Sequence, residues 1–118
     1  MIVYNRKEFL GLLMSQAREE RGITQIELAD ELDCDLRTIQ KIENGDGNPL
    51  FTALVSYAKA LHISLDVLTQ GEPSEKGLLM DRLYRQLISL DTESANLIIH
   101  AAQCYCAWRD NQEISDLE

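Results

Sequence analysis

Residues 23–45 are the most constrained stretch of the chain. Thr24 and Glu27 stand at capping-box spacing, where the hydroxyl accepts a backbone N–H and the glutamate reaches back. They start a short helix, Gln25 to Leu32, whose buried stripe is Ile26 or Leu28 with Ala29 and Leu32. Asp33-Cys34 leaves room only for a brief turn, and Asp35 then caps a second helix that ends at Asn44-Gly45. Two short helices joined this tightly cross at a steep angle, so a small residue is needed at the crossing; Ala29 supplies it. Ile39 and Ile42 bury one side of the second helix and leave its other side free.

The rest of the chain reads as further helices. Leu10, Leu13, Met14 and Ala17 recur at helical spacing over about Arg6 to Arg21. Asn48-Pro49 begins a fourth helix, with Pro49 at its first position; it runs to about Leu61 and buries Leu54, Val55, Ala58 and Leu61. Ser64 caps a fifth that ends at Gly71, and Gly22, Gly45 and Gly71 each suit a left-handed residue after a helix. Glu72-Pro73-Ser74-Glu75 reads as a linker. Beyond it, Leu79, Leu83, Leu87 and Leu90 line a helix over about 76–90. Asp91 or Thr92 caps a last helix to about Asn111, followed by an acidic tail expected to fray. Strand-like alternation is confined to Ile2-Val3-Tyr4, a short strand or an apolar tail. The fold class is therefore all-α.

This organisation resembles the Cro and phage-repressor (Xre-type) helix-turn-helix family. The resemblance spans roughly residues 10–70, including Asn48-Pro49 and the run Ala58 to Asp66. It implies a five-helix lambda-repressor-like DNA-binding domain over 5–71, a linker over 72–75 and two C-terminal helices forming a dimerisation region over 76–112. In this family the helix after the turn lies in the major groove, and two subunits read half-sites one DNA turn apart. Carried over by position, the DNA-contact residues are Gln25, Asp35, Leu36, Arg37, Thr38, Gln40, Lys41 and Asn44. Gln25 matches a phosphate ligand at a helix start. Arg37 and Lys41 match positions that meet guanine edges or phosphates, and Leu36 can pack on a thymine methyl or rest against Leu50 or Phe51. Arg18 and Glu43 match a partly buried structural ion pair. Asp46-Gly47 departs from a loop that is often basic in the family.

Charge weighs on this expectation. The net charge is −9, with seven basic and eleven acidic residues in 1–70 and four and nine in 71–118. An acidic chain binds DNA non-specifically only weakly and with strong salt sensitivity, although the local field at the contact surface matters more than the total. No apolar run reaches the ~20 residues of a membrane span, the N-terminus does not read as a signal peptide, and three cysteines form no disulfide framework. A cytoplasmic protein is expected.

Other candidates have ordinary readings. Cys104 and Cys106 sit about 200° apart on a helix and cannot chelate one ion together; buried small hydrophobes are the expectation, and Cys34 is read as core. His62 and His100 share no cluster of ligands in the sequence, the carboxylates show no apolar pocket, and no Gly-rich phosphate loop occurs. No enzyme and no cofactor are expected. Tyr84, Tyr105 and Trp108 are read as core or subunit interface. The expected function is a sequence-specific regulator, a repressor by preference, that binds an inverted repeat of double-stranded DNA as a homodimer through Leu79, Leu83, Leu87, Ile98, Ala102, Tyr105 and Trp108. The alternative is a protein-interaction module of the same fold, an antirepressor or an antitoxin neutralising a toxin.

Overall fold

A computed structural model of the chain describes residues 3–117, with side chains through residue 113. Seven helices follow one another among the described residues: α1 (Arg6–Arg21), α2 (Gln25–Glu31), α3 (Leu36–Glu43), α4 (Phe51–Leu61), α5 (Leu65–Gln70), α6 (Glu75–Leu87) and α7 (Thr92–Leu117). The chain divides into two compact units, Met1–Gln86 and Leu87–Glu118.

Local signals set the starts of the first three helices. Asn5 and Glu8 form a capping box on α1, with the Glu8 N–H donating to Asn5 Oδ1 at 2.8 Å. Thr24 and Glu27 do the same for α2. Asp35 Oδ1 accepts from the Arg37 N–H at 3.2 Å and opens α3. Gly22 and Gly45 close α1 and α3 at φ 76° and 83°, where a side chain would be strained.

The core of the first unit lies between α1 and the helices that cross it. Phe9, Leu10, Leu13, Met14 and Ala17 of α1 meet Leu28 and Ala29 of α2, Ile39 and Ile42 of α3, and Tyr57, Leu61, Ile63 and Leu68 beyond. Fully burying one such side chain stabilises by about 1.5–3 kcal/mol.

Several boundaries differ from the sequence reading. α4 starts at Phe51, not at Pro49, and Leu50 stands as a cap without a side-chain hydrogen bond. Upstream, Gly47 is buried so closely that an added Cβ would meet Ile42 Cγ1 at 2.5 Å, which holds the α3–α4 segment against α3. In α4, Tyr57 joins Leu61 as a buried residue, whereas Leu54, Val55 and Ala58 are half-buried. Gly71 is extended (φ −62°, ψ 149°) rather than left-handed, and His62 takes the left-handed place after α4 at φ 55°.

Residues 72–75 are not a free linker. The Tyr4 N–H donates to the Pro73 carbonyl at 2.7 Å, Val3 pairs with Ser74 in an isolated antiparallel bridge, and Ser74 is fully buried. Ile2, the other residue of the expected short strand, lies outside the described residues. α6 then docks on the first unit. Leu78 is buried, buried Asp81 accepts from the Ser64 N–H at 3.1 Å, and Arg85 bridges Asp81 and Glu20. The break between units therefore falls within the last turn of α6, later than expected.

In the second unit, Asp91 Oδ1 accepts from the Ser94 N–H at 2.7 Å at the start of α7. α7 reaches Leu117, beyond the Asn111 expected; no glycine or proline interrupts it. Glu118, the end of the expected frayed tail, lies outside the described residues. Among the described residues no helix is long and apolar enough to cross a membrane.

Candidate nucleic-acid interface

α3 is held from behind by three kinds of contact. Ile39 and Ile42 are buried to 2% exposure or less. Gly11 of α1 lets the two helices approach so closely that a Cβ there would sit 2.5 Å from the Ile42 carbonyl oxygen and 2.9 Å from that of Glu43. Arg18 donates from Nε and Nη2 to the two carboxylate oxygens of Glu43, each at 2.9 Å, and from Nη1 to the Ile23 carbonyl. The hydrogen bond to Glu43 raises the Arg18 pKa, so the guanidinium stays charged despite its burial. One fork thus ties α1, the residue before the α2 cap, and the last residue of α3.

The opposite side of α3 is open. At about 100° per residue, Arg37, Gln40, Lys41 and Asn44 share an arc of about 100°, and all four are exposed. They line a shallow depression together with Asp46. Thr38 is exposed beside this arc, on the side of the α3–α4 segment. Leu36 is half-buried and packs on the core, so only part of its surface faces outward. Asp35 is exposed, with one carboxylate oxygen engaged as the α3 cap. Gln25 is half-buried in the first turn of α2.

Charge in the first unit is sorted by pairing. Arg18 is paired with Glu43, Arg21 with Glu31, and Arg82 and Arg85 with Glu20. Arg6 donates to the Gly71 carbonyl. Among the described residues, Lys7, Arg37 and Lys41 near α3, like Lys59 and Lys76 elsewhere in the unit, take part in no ion pair. Lys7 lines a groove with Thr38, Lys41, Asp46, Asn48 and Leu50. The surface around α3 therefore carries three free cations in a domain whose total is negative. Sequence reasoning missed Lys7 because more than thirty residues separate it from Lys41; only the docking of the first turn of α1 on the α3–α4 turn brings them together, with Glu8 Cα 3.4 Å from where a Gly45 Cβ would stand.

Cys34, read as core, is half-buried against it. Burial pushes its thiol pKa up, and Asp35 and Asp33 add to this. Tyr57 is raised by its own burial first and by Cys34 second. Cys104 and Cys106 correct an expectation: both are exposed on α7, not buried. Residues 96–113 of α7 are all exposed. His100 is not isolated either, since its Nε2 lies 3.7 Å from Cys104 Sγ. Among the described residues no group of three or more His, Cys, Asp or Glu is placed to hold a metal ion.

The residues read as an interface are outward-facing apolar groups. Leu79, Leu83 and Tyr84 of α6 are exposed and Leu87 is half-buried. On α7, Ile98, Ala102, Tyr105 and Trp108 are exposed, with the Tyr105 and Trp108 rings tilted at a centroid distance of 5.9 Å.

The family model described as helix-turn-helix matches residues 14–68. The cryptic phage CTXphi transcriptional repressor RstR of Vibrio cholerae serotype O1 is 35% identical over 86 residues, covering 72% of this chain and 76% of that protein. The chain belongs to the Xre-type helix-turn-helix family. Membership makes this Xre-type protein a DNA-binding transcriptional regulator and not an enzyme. A solved structure, a mutant of the restriction-modification controller protein C.Esp1396I, shares the fold at a TM-score of 0.52 and 23% identity, over 70% of this chain and 96% of that one. In this Xre-type chain the matched span includes α2, the turn and α3.

Proposed function

We propose that the protein is a cytoplasmic transcriptional repressor that binds an inverted-repeat operator as a homodimer, with α3 of each subunit in the major groove. The observation that carries this reading is the division of α3 itself. One side is fixed by Ile39, Ile42 and the Arg18–Glu43 fork, and the other offers Arg37, Gln40, Lys41 and Asn44 with both cations unpaired. The name of the similar RstR protein, a transcriptional repressor, supports the direction of regulation.

In this reading Arg37 donates two bonds to a guanine edge, and Lys41 and Gln40 reach a neighbouring base or phosphate. Thr38 borders the groove and Leu36 presents its exposed part to a thymine methyl. Asp35 contributes by fixing where α3 starts, because its carboxylate is already engaged by the Arg37 N–H. Gln25 and Asn44 hold the flanking phosphates. Dimerisation follows from the need to read two half-sites and from the apolar residues of α6 and α7, the exposed Leu79, Leu83, Ile98, Ala102, Tyr105 and Trp108 with the half-buried Leu87.

Fluorescence anisotropy on duplexes selected from random DNA, combined with sedimentation, tests this. Arg37→Ala with Lys41→Ala keeps the circular dichroism of the fold and weakens binding by about 100-fold, since a base contact is worth ~1–3 kcal/mol. Tyr105→Ala with Trp108→Ala shifts the dimer toward monomer. A chain that is monomeric at micromolar concentration contradicts the dimer. Absence of binding to any duplex at low salt contradicts DNA recognition, and turns the exposed α7 toward the protein-partner reading of an antirepressor or antitoxin.

A further inference from the structure

The groove beside α3 carries a charge balance that one residue decides. Its charged members are Lys7, Lys41 and Asp46, and neither lysine pairs with the aspartate. With Lys7 the groove is net positive by one charge; without it Lys41 and Asp46 cancel, and a phosphate gains nothing by entering. Asn48 adds a side-chain amide to the lining, and Leu50, 77% exposed, borders it.

Lys7 is also well placed mechanically. It stands in the first turn of α1, which Asn5 and Glu8 lock by their reciprocal cap. The Glu8 carboxylate is thereby drawn to the Asn5 N–H at 3.3 Å. The same turn rests on Gly45, so Lys7 keeps a fixed relation to the end of α3.

Resting on the placement of α3 in the major groove, we infer that this groove seats the sugar-phosphate strand that flanks the bases read by α3, and that Lys7 is its phosphate ligand. A strand lying there meets Lys7, Lys41 and Asn48, which all line the groove. Lys7 then adds affinity without sequence preference, because a phosphate contact carries no base information.

The test is anisotropy of the full chain on its selected duplex and on a random duplex, each across a salt series. Lys7→Gln is expected to weaken both about fivefold at 0.1 M salt and to lower the slope of log affinity against log salt by about 0.9, the value for one lost phosphate contact. Asp46→Asn is expected to strengthen both. Lys59→Gln, a cation on α4 that does not line the groove, is the control and leaves the slope unchanged. An unchanged slope in Lys7→Gln, or a loss confined to the selected duplex, overturns the assignment while the wild-type chain still binds. If the wild-type chain binds neither duplex at low salt, the DNA-binding reading itself fails and this one with it. Lys7 is exposed, and a melting curve matching wild type shows that the variant is folded.

Discussion

In α1, Phe9, Leu13 and Met14 are at most 1% exposed; in α7, Leu97, Ile98, Ile99, Tyr105 and Trp108 are 45–65% exposed. Both helices are rich in large apolar side chains, but they arrange them differently. The apolar residues of α1 recur three or four apart and form one stripe, which the rest of the first unit covers. Those of α7 run around the helix, Ile99 standing about 160° from Leu97 and 180° from Trp108 at ~100° per residue. A helix that is apolar on several sides is made to be covered on several sides. α1 is thus an organiser of its own domain, whereas α7 leaves its large apolar side chains exposed.

The comparison breaks first at Phe9. Phe9→Ala should lower the unfolding free energy by about 3–5 kcal/mol, read by urea denaturation at a concentration where the chain is monomeric. Trp108→Ala under the same conditions should change it by less than about 0.5 kcal/mol. Equal losses would erase the distinction between the two helices.

Glu43→Ala should cost about 3 kcal/mol, because Arg18 keeps a charge that burial leaves without its partner. Arg18→Met combined with Glu43→Met should recover most of the loss. If the double variant is as unstable as the single one, the fork is not what fixes α3 on α1.

The thiols sharpen the same contrast without mutation. Cys104 and Cys106 should react with a disulfide reagent near neutral pH at least about tenfold faster than Cys34, whose thiol is raised by burial and two aspartates. Protection of Cys104 at high protein concentration would mark the covered side of α7.

The smallest effect is at the start of α7. The Ser94 N–H holds the Asp91 carboxyl below the ordinary aspartate range. A depressed folded pKa stabilises above the unfolded value of about 4 and loses that contribution as pH falls through the folded value. Circular dichroism below about pH 4 should therefore show a small loss of helix that Asp91→Ala has already suffered at neutral pH.

Much of the first domain is legible in the sequence because its signals are local. Thr24 with Glu27, Asp35, and the glycines 22 and 45 act within one turn, so helix starts and stops follow from neighbours. What escaped reading depends on distant contacts. Pro49 suggests a helix start, but α4 begins at Phe51, after a segment in which buried Gly47 packs on Ile42. Glu72 to Glu75 has linker composition, yet Val3 and Tyr4 from the other end of the domain pair with it. The candidate interface divides the same way. Arg37 and Lys41 are visible in the motif pattern, whereas Lys7 joins them only through the seating of α1 on Gly45. Cys104 and Cys106 read as buried because apolar spacing implies a covering surface, whereas both are exposed on α7.

In the proposed function the free face of α3 reads DNA from two subunits at once. Hydroxyl-radical footprinting of the full chain on a selected duplex tests it most directly. The account predicts two symmetric protected patches centred about one helical turn apart, both lost in Arg37→Ala with Lys41→Ala. A single asymmetric patch, or a footprint that survives the double variant, would contradict it.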